Sequence, residues 1–221
     1  MALPRVAVIG TGGTIASLGE DPFDIQDYGR HGRIMDAAAL LEFWPQVAQV
    51  ADAVPVPFRA VPSTALGPPE WLELARLVRE VAATGVDGIV IGHGTATLEE
   101  TAFFLSLAAQ VAQPVVLVGA QRPSSALSSD AGMNLANACR VAGDPGARGL
   151  GALVVMNDEI HAARDVTKTH TGRLHTFRTP DWGALGHAEA DAIHWHRRPL
   201  RPAGGFDVSG LAALPRVDIV P

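Results

Sequence analysis

Four short apolar runs, each followed by small polar residues, constrain the fold of this chain more than any other feature. They are residues 5–10 (RVAVIG), 87–92 (DGIVIG), 114–119 (PVVLVG) and 150–156 (LGALVVM). Apolar runs of this length with no polar alternation read as strands buried on both faces. The stretches between them carry helical spacing. Residues 69–83 place Trp71, Leu72, Ala75, Leu77, Val78 and Val81 on one stripe, with proline at the start and Gly85 just beyond the end. Further helices are predicted over 36–44, ended by Pro45, over 97–111, with Glu99 and Glu100 suiting the first-turn dipole, and over 129–142. Residues 54–61 alternate but contain prolines, which predicts an edge strand. Strands alternating with helices predict an α/β fold with a mostly parallel sheet and helices on both faces.

The chain has 221 residues, 48% hydrophobic and 18% charged. That is enough for one domain with a packed core, and too apolar for general disorder. After Asn157 the pattern changes to short alternating pieces such as 192–196. Three regions are expected: an α/β domain over 1–196, a linker over 197–213, and at 214–221 the first strand of a smaller α/β domain that the chain otherwise lacks. The net charge of −6 argues against general nucleic-acid binding, which needs cations to displace counterions from phosphate. No apolar stretch reaches membrane-spanning length, and the start of the chain lacks a signal-type apolar segment. A cytoplasmic protein is the expectation. The one cysteine, Cys139, excludes an internal disulfide framework and reads as a buried thiol.

In open parallel sheets, ligands bind beyond the carboxyl ends of the strands. Here those ends run into Thr11-Gly12-Gly13-Thr14, His93-Gly94-Thr95-Ala96-Thr97, Ala120-Gln121-Arg122-Pro123-Ser124 and Asn157-Asp158. Hydroxyls and glycine amides are thus expected in one crevice. The dinucleotide fingerprint fails at Ile15, and neither a phosphate-binding GxxxxGK[ST] loop nor a GxSxG elbow occurs. Gly12-Gly13 reads either as a tight turn alone or as backbone N–H donors for an oxyanion. A threonine hydroxyl used as a nucleophile needs a base. Two residues are unusual in this respect: Lys168 is the sole lysine of the chain and Tyr28 its sole tyrosine. Lysine can lose its proton when desolvated and arginine cannot, so Lys168 reads as a proton-transfer group or else as an ion-pair partner. His194 and His196 could share a metal but lack a third ligand, and read better as half-exposed strand residues. His93 reads as a turn residue that holds its loop, with a catalytic role as the alternative.

Several stretches together resemble the bacterial-type L-asparaginases and glutaminase-asparaginases. They are residues 9–16 (IGTGGTIA), 93–102 (HGTATLEETA), 118–124 (VGAQRPS), 154–158 (VVMND) and 164–169 (RDVTKT). The resemblance implies amide hydrolysis without a cofactor or metal. It implies Thr11 as nucleophile, Tyr28 as its partner on a mobile loop over 18–33, and Thr95 with Lys168 as a second catalytic set. Thr14, Ser63, Thr64, Gly94 and Ala96 are implied as substrate-binding positions. It also implies a homo-oligomer, dimer or tetramer, with sites at the dimer interface.

Three departures accompany the resemblance. Ala96 stands where the family has aspartate, Thr64 where it usually has glutamine, and the chain ends before the acidic residue that a neighbour's C-terminal domain would donate. A substrate ammonium needs a carboxylate partner when buried. The expected function is therefore hydrolysis of the side-chain amide of L-asparagine or a related small amide. Two alternatives stay open: an amidase for a small amide lacking a free α-amino group, and an impaired module that keeps the pocket and only binds. Without the aspartate, the amine of Lys168 is expected to hold its proton less tightly.

Overall fold

The computed structural model describes residues 2–189, 191–200 and 204–218. In chain order its elements are β1 (Arg5–Gly10), α1 (Ala37–Phe43), β2 (Asp52–Val56), α2 (Pro68–Ala82), β3 (Gly88–Gly92), α3 (Leu98–Ala108), β4 (Val115–Val118), α4 (Ala131–Gly143), β5 (Ala152–Met156), β6 (Glu159–Ala162), β7 (Thr167–Lys168), β8 (Phe177–Arg178), β9 (Gly186–Ala188) and β10 (Ile193–Trp195). Eight strands form one sheet in the order β10-β9-β6-β5-β4-β3-β1-β2. β2, β1, β3, β4 and β5 run parallel. β6, β9 and β10 extend the sheet antiparallel. β7 and β8 make a separate hairpin, with Lys168 opposite Phe177.

The central strands are apolar throughout because both of their faces are covered. Val6, Val8, Val90, Val116, Val118, Leu153 and Val155 point into one cluster with Leu40 of α1 and Leu135, Ala138 and Cys139 of α4. Their chain neighbours Ala7, Ile9, Ile89, Ile91, Leu117, Val154 and Met156 point the other way, against Leu72, Ala75 and Val78 of α2 and Leu98, Ala102 and Leu105 of α3. The two-residue period of a strand thus divides one apolar run between two cores. Cys139 is buried in the first, and burial pushes its thiol up to about 12, so it packs as a small inert side chain.

The α/β architecture expected from the sequence is the one found. α2 lies one residue earlier than expected, with the Gly67 amide donating to the Glu70 carboxylate at 3.0 Å. α3 ends at Ala108 rather than 111, where Gln110 takes a left-handed conformation with φ 48°. β2 is an edge strand and tolerates Pro55, but it ends at Val56. Residues 214–218 form no strand, correcting the expected new strand, since no neighbouring strand pairs with them among the described residues. The remainder of that expected strand, 219–221, lies outside the described residues, as do 201–203 of the expected linker. The described part of that linker holds no helix or strand and is tied back to the domain: Phe206 donates its amide to Leu107 at 2.9 Å, and Arg76 Nη2 donates to the Leu211 carbonyl at 3.0 Å.

Candidate active site

β1 lies between β2 and β3, so the chain crosses from one side of β1 to the other after β2. Such a reversal opens a crevice at the carboxyl ends of the strands. Gly10 pairs in register with Gly92, and Gly92 with Val118. The segments that follow therefore emerge side by side.

Backbone contact joins the first two of these segments. Gly12 and Gly13 have φ of 94° and 82°, a region that suits glycine. A Cβ on Gly13 would lie 2.2 Å from the Gly94 Cα, and one on Gly94 would lie 2.8 Å from the Ser63 Cβ. No side chain fits between these turns. Thr14 and Thr95, each directly after one of the touching glycines, are brought to the same crevice.

Each of these threonines has a proton-bearing partner. The Thr14 Oγ1 shares a 2.7 Å hydrogen bond with the Tyr28 hydroxyl, both side chains being half-buried. The Lys168 Nζ donates to the Thr95 Oγ1 at 2.8 Å. Burial lowers the pKa of the Lys168 amine below its usual value, and the nearby Glu99 carboxylate opposes that fall. The Glu99 carboxylate also accepts the Thr167 hydroxyl at 3.2 Å and the backbone N–H of Lys168.

Thr11 is placed differently from its expected role. It is 0% exposed, and its hydroxyl donates to the Gly92 carbonyl at 3.0 Å. Its own carbonyl accepts the Val61 amide at 3.0 Å. A hydroxyl sealed under the turn and committed to the backbone is a structural tie between β1 and β3, not an accessible nucleophile. Ser63 is buried at the start of a tight turn, whose carbonyl accepts the Thr97 hydroxyl at 2.8 Å. Thr64 and Ala96 are exposed on the same loops.

Two other segments expected in the crevice serve the frame instead. The Asp130 carboxylate accepts the amides of Gln121 and Arg122 at 2.9 Å, and Ser124 Oγ donates to the Ile15 carbonyl at 2.6 Å. Asn157 and Asp158 form the two-residue turn between β5 and β6, with φ of 50° and 66°. Asn134 accepts the Asn157 amide at 3.0 Å and Asn137 donates to Asp158 at 2.8 Å. Residues 18–33 form a loop closed at its base by a bridge between Ser17 and Ile34. Gly19 and Ser125 strap it to the segment after β4 at 2.7 Å.

His93 is buried beneath the site, and its Nδ1 donates to the Gly94 carbonyl at 2.8 Å. Burial pulls its pKa down to about 4, so it is neutral near pH 7 and holds its loop, as the turn reading expected. His194 and His196 have different partners: His194 lies 3.8 Å from Glu189, and His196 bonds His187 at 2.7 Å. Among the described residues, no three His, Cys, Asp or Glu side chains are placed to hold a metal ion. Sequence reasoning missed Glu99 as part of the site and gave it only to the helix dipole. Its position four residues after Thr95, in the first turn of the helix, was the available signal.

Comparison with known proteins then decides the family: a model described as "Asparaginase, N-terminal" matches residues 5–201. The chain belongs to the asparaginase family. This asparaginase-family chain is 40% identical to L-asparaginase 2 of Bacillus subtilis over 222 residues, covering 99% of the chain and 58% of that protein. It is 38% identical to glutaminase-asparaginase of Pseudomonas fluorescens, covering 98% of the chain and 60% of the relative. A crystal structure of a probable cytoplasmic L-asparaginase from Campylobacter jejuni superposes with a TM-score of 0.91 at 38% identity, covering 98% of this chain and 66% of that one. The chain thus spans about three fifths of the length of the curated relatives it matches.

Proposed function

We propose that this asparaginase-family domain hydrolyses the side-chain amide of L-asparagine or a close small amide, with Thr14 rather than Thr11 as the nucleophile. One observation carries the reading: Tyr28–Thr14 and Lys168–Thr95 are two hydrogen-bonded pairs on turns whose backbones touch. In this reading the Thr14 proton passes to the Tyr28 oxygen while the Thr14 Oγ bonds to the amide carbon, and the Tyr28 hydroxyl proton is the one delivered to the departing nitrogen. Backbone N–H groups of the glycine turn stabilise the oxyanion. Collapse breaks the C–N bond, the nitrogen takes up the proton and ammonia leaves. A water then attacks the Thr14 ester and gives up its proton to the Lys168 amine through Thr95; collapse breaks the bond between the Thr14 Oγ and the acyl carbon, that proton is returned to the Thr14 Oγ, and the carboxylic acid leaves. Tyr28 acts from the loop over 18–33, proposed as a lid.

A second reading concerns the substrate. Ala96 provides no charge, and the next carboxylate along that segment, Glu99, is engaged with β7. A substrate ammonium would therefore be poorly matched, which favours amides in which the amine is absent or blocked. Ammonia release from asparagine, glutamine, succinamate and maleamate tests both readings. Ala96→Asp is expected to raise asparagine turnover, and no rise counts against the second reading. Thr14→Val is expected to cut turnover by about 10³-fold or more while Thr11→Val does not. Binding without any ammonia release would leave the non-catalytic module standing.

Assembly as a dimer or tetramer is part of the same proposal, and it rests on the family resemblance. A cytoplasmic location rests on likeness to the Campylobacter jejuni protein, which is named a probable cytoplasmic L-asparaginase, while a Haemophilus influenzae relative is named a probable periplasmic L-asparaginase. No helix among the described residues is long and apolar enough to cross a membrane.

A further inference from the structure

We propose that Glu99 is a positioning residue of the candidate site: its carboxylate clamps β7 onto the first turn of α3, so that the Lys168 amine meets the Thr95 hydroxyl. The inference rests on the functional reading above for its catalytic meaning, but its geometry stands apart from it.

β7 has two residues, and its hairpin partner β8 has two. A pair this short does not hold itself in place. Phe177, 2% exposed, anchors the β8 side in the core formed with α2 and α3. The β7 side is held by a charged acceptor instead. The Glu99 Oε1 accepts the Thr167 hydroxyl at 3.2 Å and its Oε2 accepts the backbone N–H of Lys168. Both donors belong to the two residues that make up the strand, and the second is the main chain of the lysine itself. From this fixed backbone the side chain reaches 2.8 Å from Thr95, which lies three residues before α3. One helix terminus therefore carries both the hydroxyl that meets the amine and the carboxylate that holds the lysine's backbone.

The clamp is also the counter-charge. Burial strips water from the half-buried amine and favours its neutral form, while the Glu99 carboxylate favours the protonated one. Glu99 is the ionisable group that acts on Lys168 here. His93, in the same loop as Thr95, is neutral near pH 7. An amide oxygen at position 99 would preserve an acceptor but cancel the charge. Glu100, one residue on and exposed, carries the same charge on the same turn, and among the described residues no hydrogen bond joins it to β7.

Since Lys168 is the sole lysine, lysine labelled with ¹³C at Cε gives one side-chain resonance whose pH titration reads this amine directly. Glu99→Gln is expected to lower its midpoint by about one pH unit. Glu100→Gln is expected to leave it in place. A Glu99→Gln midpoint equal to the parent's, or an equal shift in Glu100→Gln, overturns the proposal. Should Glu99→Gln fail to fold, Glu99→Asp keeps the charge but withdraws it by one methylene. It too is expected to lower the midpoint, and an unmoved midpoint overturns the proposal. The readout needs no turnover, so a chain that releases no ammonia tests the functional reading and leaves this one intact. Where turnover is present, the limb of the kcat/KM profile that follows Lys168 moves to lower pH in Glu99→Gln together with the resonance.

Discussion

Thr11→Val removes one hydroxyl from a fully buried position and leaves its acceptor satisfied, because the Gly92 carbonyl also takes the Thr11 amide at 2.9 Å. The expected cost is about 1 kcal/mol in urea denaturation, with hydrolysis reduced far less than by Thr14→Val. The two threonines are three positions apart in one turn, and nothing in their chemistry distinguishes them. Only burial and the Tyr28 contact do, which is why the sequence pointed to the turn and not to the hydroxyl within it that we propose as the nucleophile. Tyr28, Thr95 and Lys168 were legible for a different reason: a residue type kept once in 221 positions, or placed at the end of a strand, is conspicuous without coordinates. Glu99 was not legible because its partner backbone is 69 residues away. At the same scale His93 sets a pH dependence of stability. Its pKa is about 4 in the fold against an ordinary 6.5. Below pH 6.5 the unfolded chain gains a proton that the native state refuses, so stability falls with pH until about 4. The loss is about 3 kcal/mol, and it is expected to shrink in a His93→Gln variant followed by denaturation at pH 7 and pH 4.5.

Among the elements, the glycine turn is the least tolerant. Gly13→Ala would place a methyl 2.2 Å from the Gly94 Cα on a backbone with φ 82°. Strain and displacement together are expected to cost more than about 3 kcal/mol, seen as a lowered melting temperature, with loss of ammonia release at temperatures where the variant is still folded. The five parallel strands were readable from apolar runs or alternation and the four helices from their spacing. β6 to β9 were not. They have two to four residues, and their pairing is decided by distant partners rather than by local pattern. The segment at Asn157-Asp158 shows the same limit. A polar pair after a strand looks like crevice lining, yet here it is the turn into an antiparallel neighbour.

Across the whole molecule, exposed Phe103, Trp182, Leu200 and Phe206 line one groove beside α3, next to Arg197 and Arg198. Contiguous apolar surface of this kind is uncommon on an isolated soluble chain. Sedimentation velocity at micromolar concentration is expected to show a dimer or tetramer, and a single monomeric boundary would remove the proposed assembly. The contact between Lys168 and Thr95 has a practical side as well. Most proteins scatter their primary amines over the surface, so coupling to a resin, a dye or a polymer spares the working parts. Apart from the chain's own first residue, this sequence has a single primary amine to offer, and it lies in the cleft. Acylating reagents would therefore report on occupancy of that cleft, and any attachment meant to leave it untouched needs a different handle.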